Sequence, residues 1–411
     1  MSTPKPQHAP MEQFPVAGNE LLVGGRPISE VVEQAGGTPC YLYDSAVMTA
    51  RVAALRAALP RGIHLHYAMK ANPMPAVVNH LAALVDGLDV ASAGELEVAL
   101  ASGTRPGDIS FAGPGKRDSE LEAAVMAGII VNLESEGELE RITAIGERLG
   151  RTPVVSVRVN PAFELKASGM KMGGGPKQFG VDEERVPEML REIAARGLDW
   201  RGLHIFSGSQ NLRPEAIVEA QEQTFELALR LAADAQAPLR WLNIGGGFGI
   251  PYFPGEAWLD LAPIGENLER LLPRVREALP EAEVVIELGR YLVGPAGLYV
   301  CRVIDRKVSR GEVFLVTDGG LHHHLAASGN FGQVIRKNYP VAIANRMDST
   351  ETEPVSIVGP LCTPLDLLAS RMELPRAEIG DLVAIYQSGA YGLTASPRAF
   401  LSHPDAGEMM V

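Results

Sequence analysis

The sequence predicts an α/β protein, a (β/α)8 barrel followed by a C-terminal, mostly antiparallel β domain. Two observations carry this reading. Between Ile63 and Arg290, short runs rich in Val, Ile and Leu alternate with helix-like amphipathic segments, with eight strand-like runs in about 230 residues. After Leu292 the β-like runs continue, but no long amphipathic segment separates them.

The barrel strands are read in order as HLHYAMK from His64, GLDVAS, DISFAGPG, IIVNLES, PVVSVRVNP, RGLHIFS, LRWLNIGGG and EVVIELGR. Their apolar character along the whole run suits strands buried on both faces. The helices between them are AVVNHLAAL, AGELEVALAS, SELEAAVMAG, GELERITAIGERLG, ERVPEMLREIAARG, EAIVEAQEQTFELALRLAADA and ENLERLLPRVREAL. Beyond them, GLYVCRVIDRKV, GEVFLVTDGG, EPVSIVG and DLVAIYQSGAYG read as short strands set off by Gly, Pro or charged turns. The expected organisation is a disordered tail over 1–12, an N-terminal segment over 13–45 joining the β domain, the barrel over 46–292 and the β domain over 293–411.

Composition excludes several functions. With 37 Lys and Arg against 50 Asp and Glu, the formal charge is −13, which argues against nucleic acid as a partner. No apolar stretch of about 18 residues and no signal-peptide core occur, so no membrane association and a cytoplasmic location are expected. Cys40, Cys301 and Cys362 are too scattered for a disulfide framework or a CxxC metal site. The triple His322-His323-His324 invites a metal reading, but consecutive residues on a strand point in different directions, so no metal is expected.

Barrel chemistry sits at the C-terminal ends of the strands. Those ends carry Lys70, Asp89, Glu134, Arg158, His204, the run Gly245-Gly246-Gly247, and Glu287 with Arg290. A lysine desolvated in a barrel mouth loses its proton and becomes a Schiff-base former. The loops after strands seven and eight form the usual barrel phosphate site, and IGGGFG follows strand seven. Lysine and phosphate cradle together suggest a phosphorylated aldehyde, and pyridoxal phosphate is the candidate. Glu287 then reads either as a salt-bridge partner of Arg158 or Arg290, or as the carboxylate that keeps the pyridine nitrogen protonated. His204 reads either as a satisfied core histidine or as a ring stacked on the cofactor. In the β domain, Cys362 of GPLCTPLD reads as a buried inert thiol or as an exposed proton donor to a carbanion.

The chain resembles the fold-type III pyridoxal-phosphate decarboxylases, the ornithine/diaminopimelate decarboxylase family with an alanine racemase-like fold, over nearly its full length. The resemblance rests on YAMKAN, DVASAGELE, FAGPGK, VRVNP, HIFSGSQ, NIGGGFGIPYF, ELGRYLV, GPLCTPLD and SGAYG, nine motifs in order. It implies that Lys70 holds the cofactor, His204 stacks on its ring and Glu287 meets the pyridine nitrogen. It also implies that Ser207, Gly245 to Gly247, Gly289, Arg290 and Tyr391 surround the phosphate, with Asp89 and Arg158 in support. Family members are head-to-tail homodimers with shared sites, in which Cys362 would protonate the carbanion.

Two departures bear on the substrate. Where the family places Glu or Asp after the GPLC cysteine, this chain has Thr363, and the RPxLY-type segment is changed to IRKNYP around Arg336 and Tyr339. Arg290, Arg336, Tyr339, Thr363, Asp366 and Tyr391 are the expected substrate contacts. The variant motifs KMGGGPKQFG, DGGLHHH and SGAYGLTASP are closest to the butirosin-pathway and exosortase A-associated subgroups. The expected reaction is decarboxylation at Cα of a diaminopimelate-like amino acid or of an aminoacyl group tethered to an acyl carrier protein. A racemase of the same fold and a non-catalytic pyridoxal-phosphate binder are the alternatives.

Overall fold

The structure is a computed structural model that describes residues 6–164, 170–171 and 173–411. Residues 1–5 of the expected tail, and Met172 in KMGGGPKQFG, lie outside them. The chain divides into two compact units, one of residues 51–249 and 259–291, the other of residues 1–50, 250–258 and 292–411.

The first unit is the barrel. Its strands are β1 (Ile63–Ala68), β2 (Gly87–Val90), β3 (Ile109–Phe111), β4 (Ile130–Leu133), β5 (Val154–Asn160), β6 (Asp199–Ile205), β7 (Trp241–Gly246) and β8 (Glu283–Leu288). Each pairs in parallel with the next, and β8 pairs with β1, which closes the ring. The helices between them are α1 (Pro75–Ala82), α2 (Ala93–Ala101), α3 (Asp118–Ala127), α4 (Glu136–Leu149), α5 (Val186–Ala195), α6 (Pro214–Ala233) and α7 (Ala262–Ala278). Local chemistry sets their ends. Ser92 and Ser135 cap α2 and α4 by accepting the amides of Glu95 and Glu138, while Gly128 and Gly150 end α3 and α4 in left-handed conformation. Parallel pairing leaves helices against the outer face, so the strands are buried on both sides as their apolar runs require.

The second unit is mostly antiparallel. Its long strand Gly297–Ser309 pairs antiparallel with Cys40–Tyr43, with Glu312–Thr317 and with Leu382–Ile385. Cys40–Tyr43 also pairs in parallel with Gly407–Met410. Leu42, Leu298, Val300, Leu382 and Ala384 pack into one core. The strands Val341–Ile343 and Leu367–Pro375 were not evident in the sequence, because each is short or carries charged residues on its open face.

Two expectations change in this unit. Residues 250–258 belong here rather than to an uninterrupted barrel, since the Tyr252 ring packs 4.6 Å from that of Tyr339 and Pro251 accepts a hydrogen bond from Gln387. Within the expected tail, Gln7 accepts the Gly255 amide at 2.8 Å and His8 bonds the Asn338 carbonyl.

Candidate active site

The C-terminal ends of the barrel strands collect charge at the mouth. Lys70 lies two residues beyond β1 in the helical turn Met69–Ala71, exposed, with Nζ 5.6 Å from the centre of the Phe206 ring. Gly289 allows the end of β8 to close on that turn, because a Cβ there would sit 2.8 Å from both the Ala68 carbonyl oxygen and the Ala71 methyl. Arg290, half-buried, begins the single helical turn that follows.

Glu287 sits on β8, buried. Burial alone would push its carboxyl up, but His204, then Lys70 and Arg158, hold it well below the usual carboxylate range. Its Oε2 accepts Asn243 Nδ2–H at 3.0 Å and lies 2.9 Å from His204 Nε2. That second contact is close but out of line, since neither ring nitrogen of buried His204 has a partner in hydrogen-bond geometry. Of the two salt-bridge partners expected for Glu287, Arg158 makes its hydrogen bond elsewhere. Arg158 instead donates to Glu134 at 3.0 Å, because the two face each other across β4 and β5. Glu134 also accepts the amides of Gly113 and Gly180, and despite burial Arg158 and Lys116 keep it ionised.

The glycine run is shaped by sterics. Gly245 has φ +68°, and a Cβ there would meet the Ile205 carbonyl oxygen at 3.0 Å and the Phe206 ring at 2.8 Å. A Cβ on Gly246 would lie 2.4 Å from the Glu287 carbonyl oxygen, and Gly247 has φ +73°. Asn243 Oδ1 accepts the Gly245 amide, so one side chain fixes both the turn and Glu287. A small cavity beside this turn is lined by Ser207, Gly208, Gln221, Thr224, Gly245 and Gly246 among others.

A second polar system lies inside the barrel below the mouth. Asp89 Oδ1 accepts Ser110 Oγ–H at 2.6 Å and lies 3.1 Å from His66 Nδ1, while Asp89 Oδ2 is buried without a partner. Asn243, His66 and buried Lys116, which bonds Glu138, Gly113 and Asn132, were missed by sequence reasoning. The signal was available in alternation along the strands: Asn243 precedes the glycines, and His66 lies four residues before Lys70 on an inward position.

The remaining expected residues belong to the β unit. Cys362 is exposed in the loop before Leu367–Pro375, which removes the buried-thiol reading, and Thr363 beside it is half-buried. Both Asp366 oxygens are taken by amides, Leu321 on Oδ1 and Leu361 on Oδ2, and burial pushes its carboxyl up. This residue clamps two loops rather than offering a free carboxylate to substrate. Arg336 donates to the Ser328 carbonyl, and its Nε and Nη2 are buried without hydrogen-bond partners. Tyr339 is buried among Tyr252, Phe253 and His324, and Tyr391 is half-buried at φ +52°. The three histidines lie in a turn rather than on a strand. His324 bonds Ser388, His323 bonds the Pro404 carbonyl, and the His322 ring lies 3.7 Å from that of His323.

The barrel residues fit pyridoxal phosphate. His204 has neither ring nitrogen in a hydrogen bond, Glu287 is an anion suited to a protonated ring nitrogen, and bare glycine backbone meets Ser207 at a cavity. Such a mouth on a (β/α)8 barrel defines the class of barrel enzymes built for this cofactor. The chain belongs to the pyridoxal-dependent decarboxylases: residues 45–294 match the family's pyridoxal binding domain. It is 40% identical to the L-glutamyl-[BtrI acyl-carrier protein] decarboxylase of Niallia circulans, over 91% of this chain and 88% of that one. It is 30% identical to the 2-[(L-alanin-3-ylcarbamoyl)methyl]-2-hydroxybutanedioate decarboxylase of Staphylococcus aureus, over 92% and 96%. Among solved structures it superposes on diaminopimelate decarboxylase from Helicobacter pylori complexed with L-lysine, with TM-score 0.81 and 28% identity over 93% and 94% of the chains. The protein is thus a pyridoxal-phosphate-dependent amino-acid decarboxylase of fold type III, a carboxy-lyase. Among the described residues no helix is long and apolar enough to cross a membrane.

Proposed function

We propose that this decarboxylase acts on an α-aminoacyl group whose far end is held as a thioester on an acyl carrier protein, and that it works as a homodimer in the cytoplasm. The observation that carries the substrate is the 40% identity, over 91% of the chain, to a decarboxylase of a glutamyl group on a carrier protein. A neutral Thr363 stands where a charged residue would grip a free distal ammonium, which agrees with a substrate whose distal end is an uncharged acyl link.

Bound pyridoxal phosphate supplies an electron sink for the bond that breaks at Cα. In this reading Lys70 would tether the cofactor. Glu287 would keep the ring nitrogen protonated, and His204 would face the ring. Ser207, the Gly245–Gly247 amides, Arg290 and Tyr391 take the phosphate, with Asp89 and Arg158 supporting the site. The bond from Cα to the carboxylate breaks, carbon dioxide leaves, and Cys362 passes its thiol proton to Cα before recovering one from solvent. Arg336 and Tyr339 meet the rest of the substrate.

The test is mass spectrometry of glutamyl carrier protein, free glutamate and free diaminopimelate after incubation with holoenzyme. Loss of carbon dioxide from the carrier-bound group alone is expected; robust turnover of free diaminopimelate would sink the proposal. Lys70→Ala is expected to lose the absorbance of the covalently held cofactor.

A further inference from the structure

The interior of the barrel carries a hydrogen-bonded ladder of which the roles above use only Asp89. Ser156 on β5 donates to Asn132 Oδ1 on β4. Asn132 Nδ2–H donates to Ser110 Oγ on β3 at 3.2 Å, and Ser110 Oγ–H donates to Asp89 Oδ1 on β2 at 2.6 Å. His66 Nδ1 on β1 reaches the same oxygen at 3.1 Å. Five neighbouring strands thus contribute one inward polar residue each, and every donor in the ladder runs toward Asp89.

The convergence is one-sided. Oδ1 holds both donors, whereas Oδ2 is the only buried carboxylate oxygen among the described residues that has no hydrogen-bond partner. A carboxylate oxygen left bare in the interior is costly unless a donor arrives. Asp89 is directly opposite Ala68 in the β1–β2 register, and Lys70 follows Ala68 by two residues. Asp89 therefore lies beside the strand end that leads into the turn bearing the lysine. Gly87 makes room for the imidazole, since a Cβ there would lie 2.4 Å from His66 Nε2. Burial opposes the charged form of His66, but Asp89, with Glu287 and Asp86, outweighs it and raises the imidazole above its ordinary value.

We infer that His66 is a positioning residue: with the Ser110–Asn132–Ser156 ladder it holds the Asp89 carboxylate by Oδ1 and so aims Oδ2 at an N–H or O–H donor of the reacting centre. This rests on the reading of Lys70 as the cofactor lysine, and it holds whichever acyl group the substrate carries.

The experiment is a double-mutant cycle on apoprotein titrated with pyridoxal phosphate, reading the dissociation constant and the pH midpoint of the bound absorbance. His66→Val is expected to weaken binding about 10-fold or more and shift the midpoint, because it removes a charged hydrogen bond. His66→Asn, whose Nδ2–H reproduces the Nδ1 donor, is expected to restore most of both. In an Asp89→Asn background His66→Val is expected to add nothing further. Additive effects in the cycle, or no rescue by His66→Asn, would overturn the inference. If His66→Val does not fold, the same cycle is run with Ser110→Ala, the second donor to that oxygen, and additivity there overturns the inference equally. Loss of the Lys70 reading alone would show separately, as a Lys70→Ala protein that keeps the covalent absorbance.

Discussion

Glu287 and His204 are 2.9 Å apart at the floor of the barrel mouth, yet out of line for a hydrogen bond, and His204, with Lys70 and Arg158, holds the carboxyl below its usual range. Glu287→Gln keeps the shape and the Asn243 contact but removes the charge. It is expected to retain pyridoxal phosphate while kcat falls by about 10²-fold or more, the scale of a lost proton-holding group. Steady-state kinetics beside a cofactor titration check this; near wild-type turnover would remove Glu287 from the chemistry.

Gly246 is expected to tolerate no side chain. Gly246→Ala would bring a methyl within 2.4 Å of the Glu287 carbonyl oxygen, so β7 and β8 must separate or the turn must move. Core overpacking costs about 1–3 kcal/mol. Weaker retention of cofactor on dialysis and a lower urea midpoint are expected together.

Lys116 is buried 2.8 Å from Glu138 Oε1, and the Glu134 amide donates to Glu138 Oε2. Lys116→Met leaves a buried unpaired carboxylate and is expected to cost about 3–5 kcal/mol in urea unfolding. The pair Lys116→Met with Glu138→Met is expected to recover a large part of that loss. A double variant as unstable as the single one would show that the carbonyl contacts of Gly113 and Asn132 matter more.

The β unit should weaken in mild acid. Burial, then the neighbouring His323 and His403, lower His322 to about 4, and burial lowers His324 to about 3. Both bases are therefore neutral when folded, and their unfolded forms take a proton first. Their stability contribution is complete above the ordinary histidine value of 6.5 and is lost as pH falls through the folded values. The urea midpoint is expected to fall from pH 7 to pH 5, before Glu287 protonates, since its folded value is depressed and its contribution lasts to lower pH. His66, raised rather than lowered, runs in the opposite sense. His322→Leu should flatten the fall, and an unchanged slope would count against the histidines as its source.

Cys362 is exposed and so able to exchange protons with solvent. Cys362→Ala is expected to leave cofactor absorbance unchanged while correct product falls about 10²- to 10⁴-fold, the range for a positioned proton donor. Product analysis in deuterated water checks it, by the stereochemical purity of label at Cα.

Much of the fold was legible in the sequence, and for particular reasons. The strands read from HLHYAMK to EVVIELGR all occur, because apolar runs bounded by capped helices carry their own boundaries, such as Ser92 and Gly128. The inward ladder was not legible. His66, Ser110 and Asn132 lie on separate strands, and only closure of the ring brings them into one line of donors. Asp366 was misread for a related reason. Its partners, Leu321 and Leu361, are backbone amides, which carry no signature in side-chain identity.

Cys40–Tyr43 is bracketed by Gly297–Ser309 on one edge and Gly407–Met410 on the other. During synthesis Cys40–Tyr43 has no strand of its own sheet to pair with until more than 250 further residues have been made, whereas barrel neighbours follow one another in order. The barrel can thus begin to form on the ribosome while the β unit waits for both distant segments, a high-contact-order step that sets its pace and leaves an unpaired strand open to chaperones meanwhile.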